Sequence, residues 1–381
     1  MSNKTNKKKI VWQQFVGSAV FMLIGAICGF MMVQYIDTLS EVSKPLWEIF
    51  LSFVALFAAM YVAIFVQIII HEAGHLIFGL MTGYKFSSFR IMSFMWLKEN
   101  GKLKFGRLTI AGTGGQCLMV PPEITNGKIP VVLYNLGGSL MNVISSVVFL
   151  GLYFLCADVP ILSSILIMLV FIGLGLAFIN GVPMRMGITD NDGYNAVALG
   201  KNQEALRSFW IQMKVNEQTS KGMRLKDMPE EWFEIPSDEK MKNSMVAVMG
   251  VFACNRLVDS HHFEEADRLM EHLLEIDSSI VGLHRSLMVC DRIYCEILGE
   301  NRKEVIDSLL TKEQKKFMKS MKKFPSVLRA EYVYALLSEK DTAKADAFRI
   351  EFERCAKTYP YPSDIQSERE LMQIAQQKAE R

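Results

Sequence analysis

The chain has almost no net charge. Over 381 residues, 42 lysines and arginines nearly balance 40 aspartates and glutamates, for a formal charge of +2. No whole-chain basic field therefore argues for nucleic acid as a partner. Paired cysteines are also missing. Cys28, Cys117, Cys156, Cys254, Cys290, Cys295 and Cys355 are scattered, odd in number and contain no CxxC. That pattern argues against a disulfide framework, and free thiols suit a reducing compartment. Histidine is scarce: His71 and His75 lie in the first half, while His261, His262, His272 and His284 lie far into the second.

What is abundant is apolar sequence, unevenly spread. Half of all residues are hydrophobic, but long apolar runs dominate the first half. From about residue 201 the charge density is that of a soluble helical protein. Four runs meet the 18-residue criterion for a membrane-spanning helix, at 10–35, 47–80, 131–156 and 161–179. The second is too long for one perpendicular crossing, so it must tilt, break or emerge into the interface. Lys4, Lys7, Lys8 and Lys9 precede the first run, whose long core without a small-residue cleavage site reads as a retained anchor rather than a signal peptide. Lys85, Arg90, Lys98, Lys102, Lys104, Arg107 and Lys128 follow the second run, and Arg185 and Arg207 follow the fourth. The positive-inside rule places these segments and both termini in the cytosol, in a multi-pass protein of the cell membrane.

One stretch contradicts its surroundings. FVQIIIHEAGHLIFGL, residues 65–80, sets two imidazoles and a carboxylate inside a span. On a helix His71 and His75 are i and i+4 and share a face, with Glu72 beside them. H-E-x-x-H is the zinc-hydrolase pattern: two neutral imidazoles bind and the carboxylate acts as general base. Each ionisable group at the centre of a span costs about 2.5–3.5 kcal/mol on insertion scales, and a divalent metal offsets that cost. Haem is a poor competitor, because histidines one turn apart cannot reach opposite faces of a porphyrin. A third ligand is expected. The carboxylates behind the fourth span, in INGVPMRMGITDNDGYNA, are the place to look. Asp192, which precedes Gly193 at a tight turn, is preferred, and Asp190 is the alternative.

These residues resemble the site-2 protease family of intramembrane zinc metalloproteases. The family reads HExxH on one membrane helix and N-x-x-P followed by D-G at the end of another. Here these are His71 to His75, Asn180-Gly181-Val182-Pro183, and Asp192-Gly193, with G-x-x-x-N on the intervening helix as Gly138 to Asn142. Many members read L-D-G close behind the proline, whereas here the spacing is longer and Asn191 precedes Asp192. The resemblance covers roughly residues 47–195. It implies His71, His75 and Asp192 as Zn2+ ligands and Glu72 as the catalytic base. It also implies Asn142, Asn180 and Gly138 at the substrate. The implied activity is hydrolysis of a peptide bond in or near the membrane segment of an anchored protein or peptide precursor.

Between spans two and three, Asn100-Gly101 flanked by strand-like runs signals a hairpin. The stretch RLTIAGTGGQCLMVPPE, with β-branched residues, then glycines, then Pro121-Pro122, reads as a strand that breaks off, and a sheet edge beside the metal could pair with an extended substrate. Beyond a linker at 201–245, residues 246–381 read as all-α. An αα-hairpin turns near Asp259 to His261, and a similar pattern returns about 79 residues later, aligning Leu257 with Leu336. This is roughly two helix-pair repeats of tetratricopeptide-like character, suited to binding a protein partner or a second copy of the chain.

The expected fold is thus an α-helical polytopic membrane protein with a small β insertion and an all-α soluble domain. Its expected parts are an anchor at 1–45, a three-span core at 46–200, a linker at 201–245 and a helical domain at 246–381. A catalytically silent membrane adaptor is the competing function, against which the intact Glu72 speaks. A transporter lacks support, since the four spans show no internal repeat.

Overall fold

A computed structural model describes the backbone of residues 2–41, 44–99, 101–110, 113–185, 189–200 and 202–381, and the side chains within them from residues 12–35 and from 44 onward. Asn100 of the expected hairpin turn and the N-terminal lysine side chains lie outside these described parts. The chain divides into two compact units, Met1–Tyr84 with Pro130–Val197, and Lys85–Ile129 with Ala198–Arg381.

The first unit is helical. It comprises α1 (Ser2–Glu41), α2 (Leu46–Met81), α3 (Val131–Leu155), α4 (Pro160–Gly181) and the short α5 (Asp192–Leu199). Among the described residues, α2, α3, α4 and the Trp12–Tyr35 part of α1 are long and apolar enough to cross a membrane, where the four apolar runs were expected. Large apolar side chains such as Phe21, Phe50, Val147 and Leu155 remain exposed on these helices, as lipid-facing surfaces require. A small core of Cys28, Met32, Leu56, Ala63, Met168, Leu169 and Ile172 joins α1, α2 and α4.

Helix α2 is unbroken over 36 residues, which is about 54 Å against a hydrocarbon layer of about 30 Å. Of the alternatives for the extra length, a break in the helix is not the one adopted. Its last turn closes on Gly83, at φ +86°, with the Tyr84 amide reaching back to the Gly79 carbonyl at 3.0 Å. This left-handed stop satisfies carbonyls that would otherwise face an apolar medium. It also turns Tyr84 onto Tyr134 of α3, with ring centroids 4.7 Å apart. One turn earlier α2 and α3 meet backbone to backbone. A Cβ on Gly74 would lie 2.3 Å from the Gly137 carbonyl oxygen, so the helices approach as closely as small residues permit.

The second unit opens with an antiparallel sheet of β1 (Lys85–Ile91), β2 (Phe94–Glu99), β3 (Lys102–Arg107) and β4 (Gly115–Val120), in the order β3-β2-β1-β4. The expected hairpin is present, with Glu99 paired to Lys102 and Gly101 at φ +80°, and of the stretch ahead of Pro121-Pro122 only GQCLMV forms a strand, β4. Strand β1 was not foreseen, because KFSSFRI lacks strict alternation and is buried on both faces toward its end. Met95, Leu97 and Leu108 pack with Tyr361, and the Arg107 amide donates to the Thr358 carbonyl at 2.7 Å. The sheet is thereby tied to the C-terminal helices.

Those helices are α6 (Gln203–Ser220), α7 (Ser244–Asp259), α8 (Phe263–Glu275), α9 (Gly282–Leu298), α10 (Lys303–Leu309), α11 (Lys312–Ser320), α12 (Pro325–Val333), α13 (Thr342–Ala356) and α14 (Pro362–Ala379). Much of the stretch read as a linker is ordered. Helix α6 is capped by Asn202, and buried Arg224 binds Asp259 at 2.6 Å and Glu370 at 2.6 Å. The two foreseen helix hairpins are α7–α8 and α12–α13, with Ala266 and Ala345 buried at equivalent places. Between them lies a third pair, α9–α10. Each pair turns over a non-glycine residue in the left-handed region, His261, Asn301 and Lys340, which resolves the 79-residue offset into two nearly equal steps.

Candidate metal centre

His71 and His75 lie on the face of α2 that meets α3, and each imidazole is 7% exposed. Asp192 is the first residue of α5. Its Oδ2 stands 3.0 Å from His71 Nε2 and 3.3 Å from His75 Nε2, and the two Nε2 atoms are 3.3 Å apart. Among the described residues this is the one group of three histidine, cysteine or acidic side chains whose ligand atoms all lie within 4.8 Å of one another. Burial alone would raise the Asp192 carboxyl, but the adjacent His75 and His71 outweigh it and hold Asp192 well below the usual carboxylate range.

The outer nitrogens fix the orientation of both rings. His71 Nδ1 is 2.7 Å from Asn142 Oδ1, and His75 Nδ1 is 2.7 Å from the Tyr134 carbonyl oxygen. Both partners are acceptors, so both Nδ1 atoms carry hydrogen. In the neutral rings both Nε2 atoms then present lone pairs, toward each other and toward a carboxylate. Three electron-rich atoms so placed repel one another unless a proton or a metal cation lies among them. The spacing fits a cation as well. Ligand bonds of about 2.0–2.1 Å in tetrahedral geometry put neighbouring donor atoms about 3.3 Å apart. The donor set, two imidazoles and one carboxylate, is of a kind that can hold zinc.

Asp192 is held in place by the residue before it. Asn191, only 6% exposed, uses its whole amide. Its Nδ2 donates to the Ile179 and Val182 carbonyls at 2.6 Å each. Its Oδ1 accepts from the Met184 and Tyr194 amides at 3.0 and 2.9 Å. The end of α4 and the start of α5 are thus knotted through one side chain, which also caps α5. Gly193 completes the seat, because a Cβ there would lie 2.2 Å from the Gly181 carbonyl oxygen.

Of the two aspartates, then, geometry selects Asp192. Asp190 is turned to Arg185, with Nε to Oδ1 at 3.1 Å, and is not part of the cluster. Glu72 is buried beside His71, near enough to His75 for the two to interact electrostatically. The three residues expected at the substrate have the following surroundings. Asn142 is wholly buried and spends its amide on His71 and Gln67. Gly138 makes room for the His71 ring, since a Cβ there would lie 2.5 Å from Nε2. Asn180 donates to the Leu176 carbonyl of its own helix at 3.0 Å.

Three contributors escaped the sequence reading. Asn191 stood out only as a departure from the L-D-G pattern. Tyr134 acts through a backbone carbonyl, which any residue could supply. Gln67 did leave a signal, as an amide inside an apolar run one turn before His71. Comparison of the chain with protein-family models, curated proteins and solved structures finds no match.

Proposed function

We propose that this chain is an intramembrane zinc metalloprotease of the site-2 protease kind. It would hydrolyse a peptide bond in or near the membrane segment of an anchored protein or peptide precursor. One observation carries the reading: two Nε2 lone pairs and a carboxylate, contributed by α2 and α5, converge at tetrahedral-ligand spacing with a buried glutamate alongside. His71, His75 and Asp192 would hold the ion. When bound, zinc supplies Lewis acidity that polarises a scissile carbonyl and makes a water molecule acidic near neutral pH. Glu72 takes a proton from the attacking water and delivers it to the departing amide nitrogen as the C–N bond breaks. The close approach of α2 and α3 leaves His71 and His75 largely buried.

The lysine-rich segments support an orientation with both termini cytoplasmic. The three evenly spaced helix pairs support a tetratricopeptide-like array that binds a protein partner or a second copy of the chain.

The test combines zinc analysis of the purified full chain in detergent with cleavage of a membrane-anchored reporter. Wild type is expected to hold one equivalent of zinc and to cleave. Glu72→Gln should keep the zinc and lose at least about 10²-fold in rate, and His71→Ala should lose both. A Glu72→Gln protein that cleaves as fast as wild type sinks the mechanism. A chain that binds zinc but cleaves nothing would instead favour the adaptor.

A further inference from the structure

We propose that Gln67 is a positioning residue of the metal centre: acting through Asn142, it dictates which nitrogen of His71 is bare. The inference rests on the metal-binding reading above and adds a residue outside its motifs.

Gln67 is fully buried in the span, where an unpaired amide would cost several kcal/mol. Its Nε2 lies 2.9 Å from the Leu169 carbonyl oxygen of α4. A backbone carbonyl can only accept, so the amino end of the amide must face it. Gln67 Oε1 therefore faces α3, where it accepts from Asn142 Nδ2 at 2.7 Å. The second hydrogen of Asn142 Nδ2 goes to the Gln67 backbone carbonyl at 3.0 Å. With both donors used there, Asn142 must present Oδ1 to His71 Nδ1, which then carries the hydrogen. His71 Nε2 is left with its lone pair toward His75 and Asp192. Each bond fixes the direction of the next, and the sequence of bonds begins at one carbonyl of α4.

Two further observations fit this role. Gly173 of α4 leaves the space that Gln67 fills, as a Cβ there would lie 2.6 Å from Gln67 Nε2. His75 needs no such relay, because its Nδ1 meets a backbone carbonyl directly. Only His71 depends on an amide that can turn over, so only His71 needs a second amide to stop it. Without Gln67 Oε1, Asn142 can flip and offer its amino group, which favours the tautomer with hydrogen on the metal-facing nitrogen.

The test measures Zn2+ and Co2+ affinity of the full chain in detergent by competition with a chelator, with thermal unfolding measured in parallel. Gln67→Leu is expected to weaken metal binding about 10–100-fold, the usual effect of losing an outer partner of a ligating histidine. Gln67→Glu, protonated in this apolar span, keeps both a donor for the Leu169 carbonyl and an acceptor for Asn142 and should bind metal more tightly than Gln67→Leu. The double variant Gln67→Leu with Asn142→Asp should recover affinity, because a carboxylate accepts from His71 whichever way it turns. Loss of helix packing alone would not be rescued in this way. If Gln67→Leu yields no folded protein, Gln67→Met fills similar volume without polar atoms and carries the same expectation. A folded Gln67→Leu or Gln67→Met protein with wild-type affinity, or a double variant as weak as Gln67→Leu, overturns the role of Gln67 alone. A wild-type chain that takes up no stoichiometric metal overturns the metal centre itself.

Discussion

His71 and His75 turn the same ring nitrogen toward each other: their Nε2 atoms stand 3.3 Å apart while α3 holds both Nδ1 atoms by acceptors. Two imidazoles on adjacent turns of a helix have many other rotamers open to them. That both are fixed with the same nitrogen facing inward sets the geometry of the cluster, and the supports of that arrangement can be tested one at a time.

The two aspartates behind α4 should separate cleanly. Asp192→Asn removes the anionic ligand and should reduce bound zinc well below one equivalent. Asp190→Asn leaves the cluster untouched and should retain the full equivalent. Its cost should appear as lost stability of about 1 kcal/mol, because half-buried Arg185 loses the charge of Asp190. Zinc analysis and thermal unfolding of both variants check this.

Gly138→Ala is a steric test of His71. The added methyl would sit 2.5 Å from the imidazole, so the ring or the α2–α3 contact must move. A destabilisation of about 1–3 kcal/mol is expected from overpacking, together with weaker metal binding. Gly151, whose Cβ would meet nothing within 4 Å, is the control on the same helix. Gly151→Ala should leave metal affinity unchanged.

Asn191→Ala should loosen Asp192 more than it loosens the fold. It strips four hydrogen bonds from the α4–α5 connection while leaving the spans intact. Amide hydrogen exchange at Met184 and Tyr194 should accelerate, and zinc affinity should fall about 10–100-fold. Asn191→Asp keeps the acceptor but loses both donors, and is expected to fall between Asn191→Ala and wild type.

The helical unit should carry a pH signature of its own. Burial, reinforced by the charges of Glu368 and Asp259, pushes the Asp364 carboxyl up to about 7 from an ordinary value of 3.8. Between those two values the folded chain holds a proton that the unfolded chain has released, so stability falls as pH rises through this window. With solvent screening at this half-buried position, the loss is about 1–2 kcal/mol. Asp364→Asn removes the titration. Wild type and variant should unfold alike near pH 4, and the variant should be the more stable at pH 8. Denaturation followed by circular dichroism across that range measures the difference.

Much of the fold was legible because it is written in local pattern. Apolar runs long enough to cross a bilayer gave four helices at the expected places. A two-residue turn between alternating strands gave the β2–β3 hairpin, and the i, i+4 spacing of His71 and His75 put both on one face of α2. Strand β1 left no such trace, since a strand buried on both faces reads as a short mixed run. The stretch 201–245 read as a linker because its prolines were visible while the partners of Arg224 were not. Asp259 and Glu370 lie 35 and 146 residues further along the chain.

The same division runs through the candidate site. The chain alone determined that two histidines and a glutamate share one buried helical face, because spacing and hydropathy depend only on neighbours in sequence. Whether Asp190 or Asp192 joins them, and which nitrogen of each ring faces inward, only the tertiary structure decided. Those outcomes depend on carbonyls and amides of α3 and α4 brought alongside α2 by helix packing. A hydrogen bond has a direction that a residue's identity does not specify, and an asparagine or glutamine reads the same in sequence whichever end it offers.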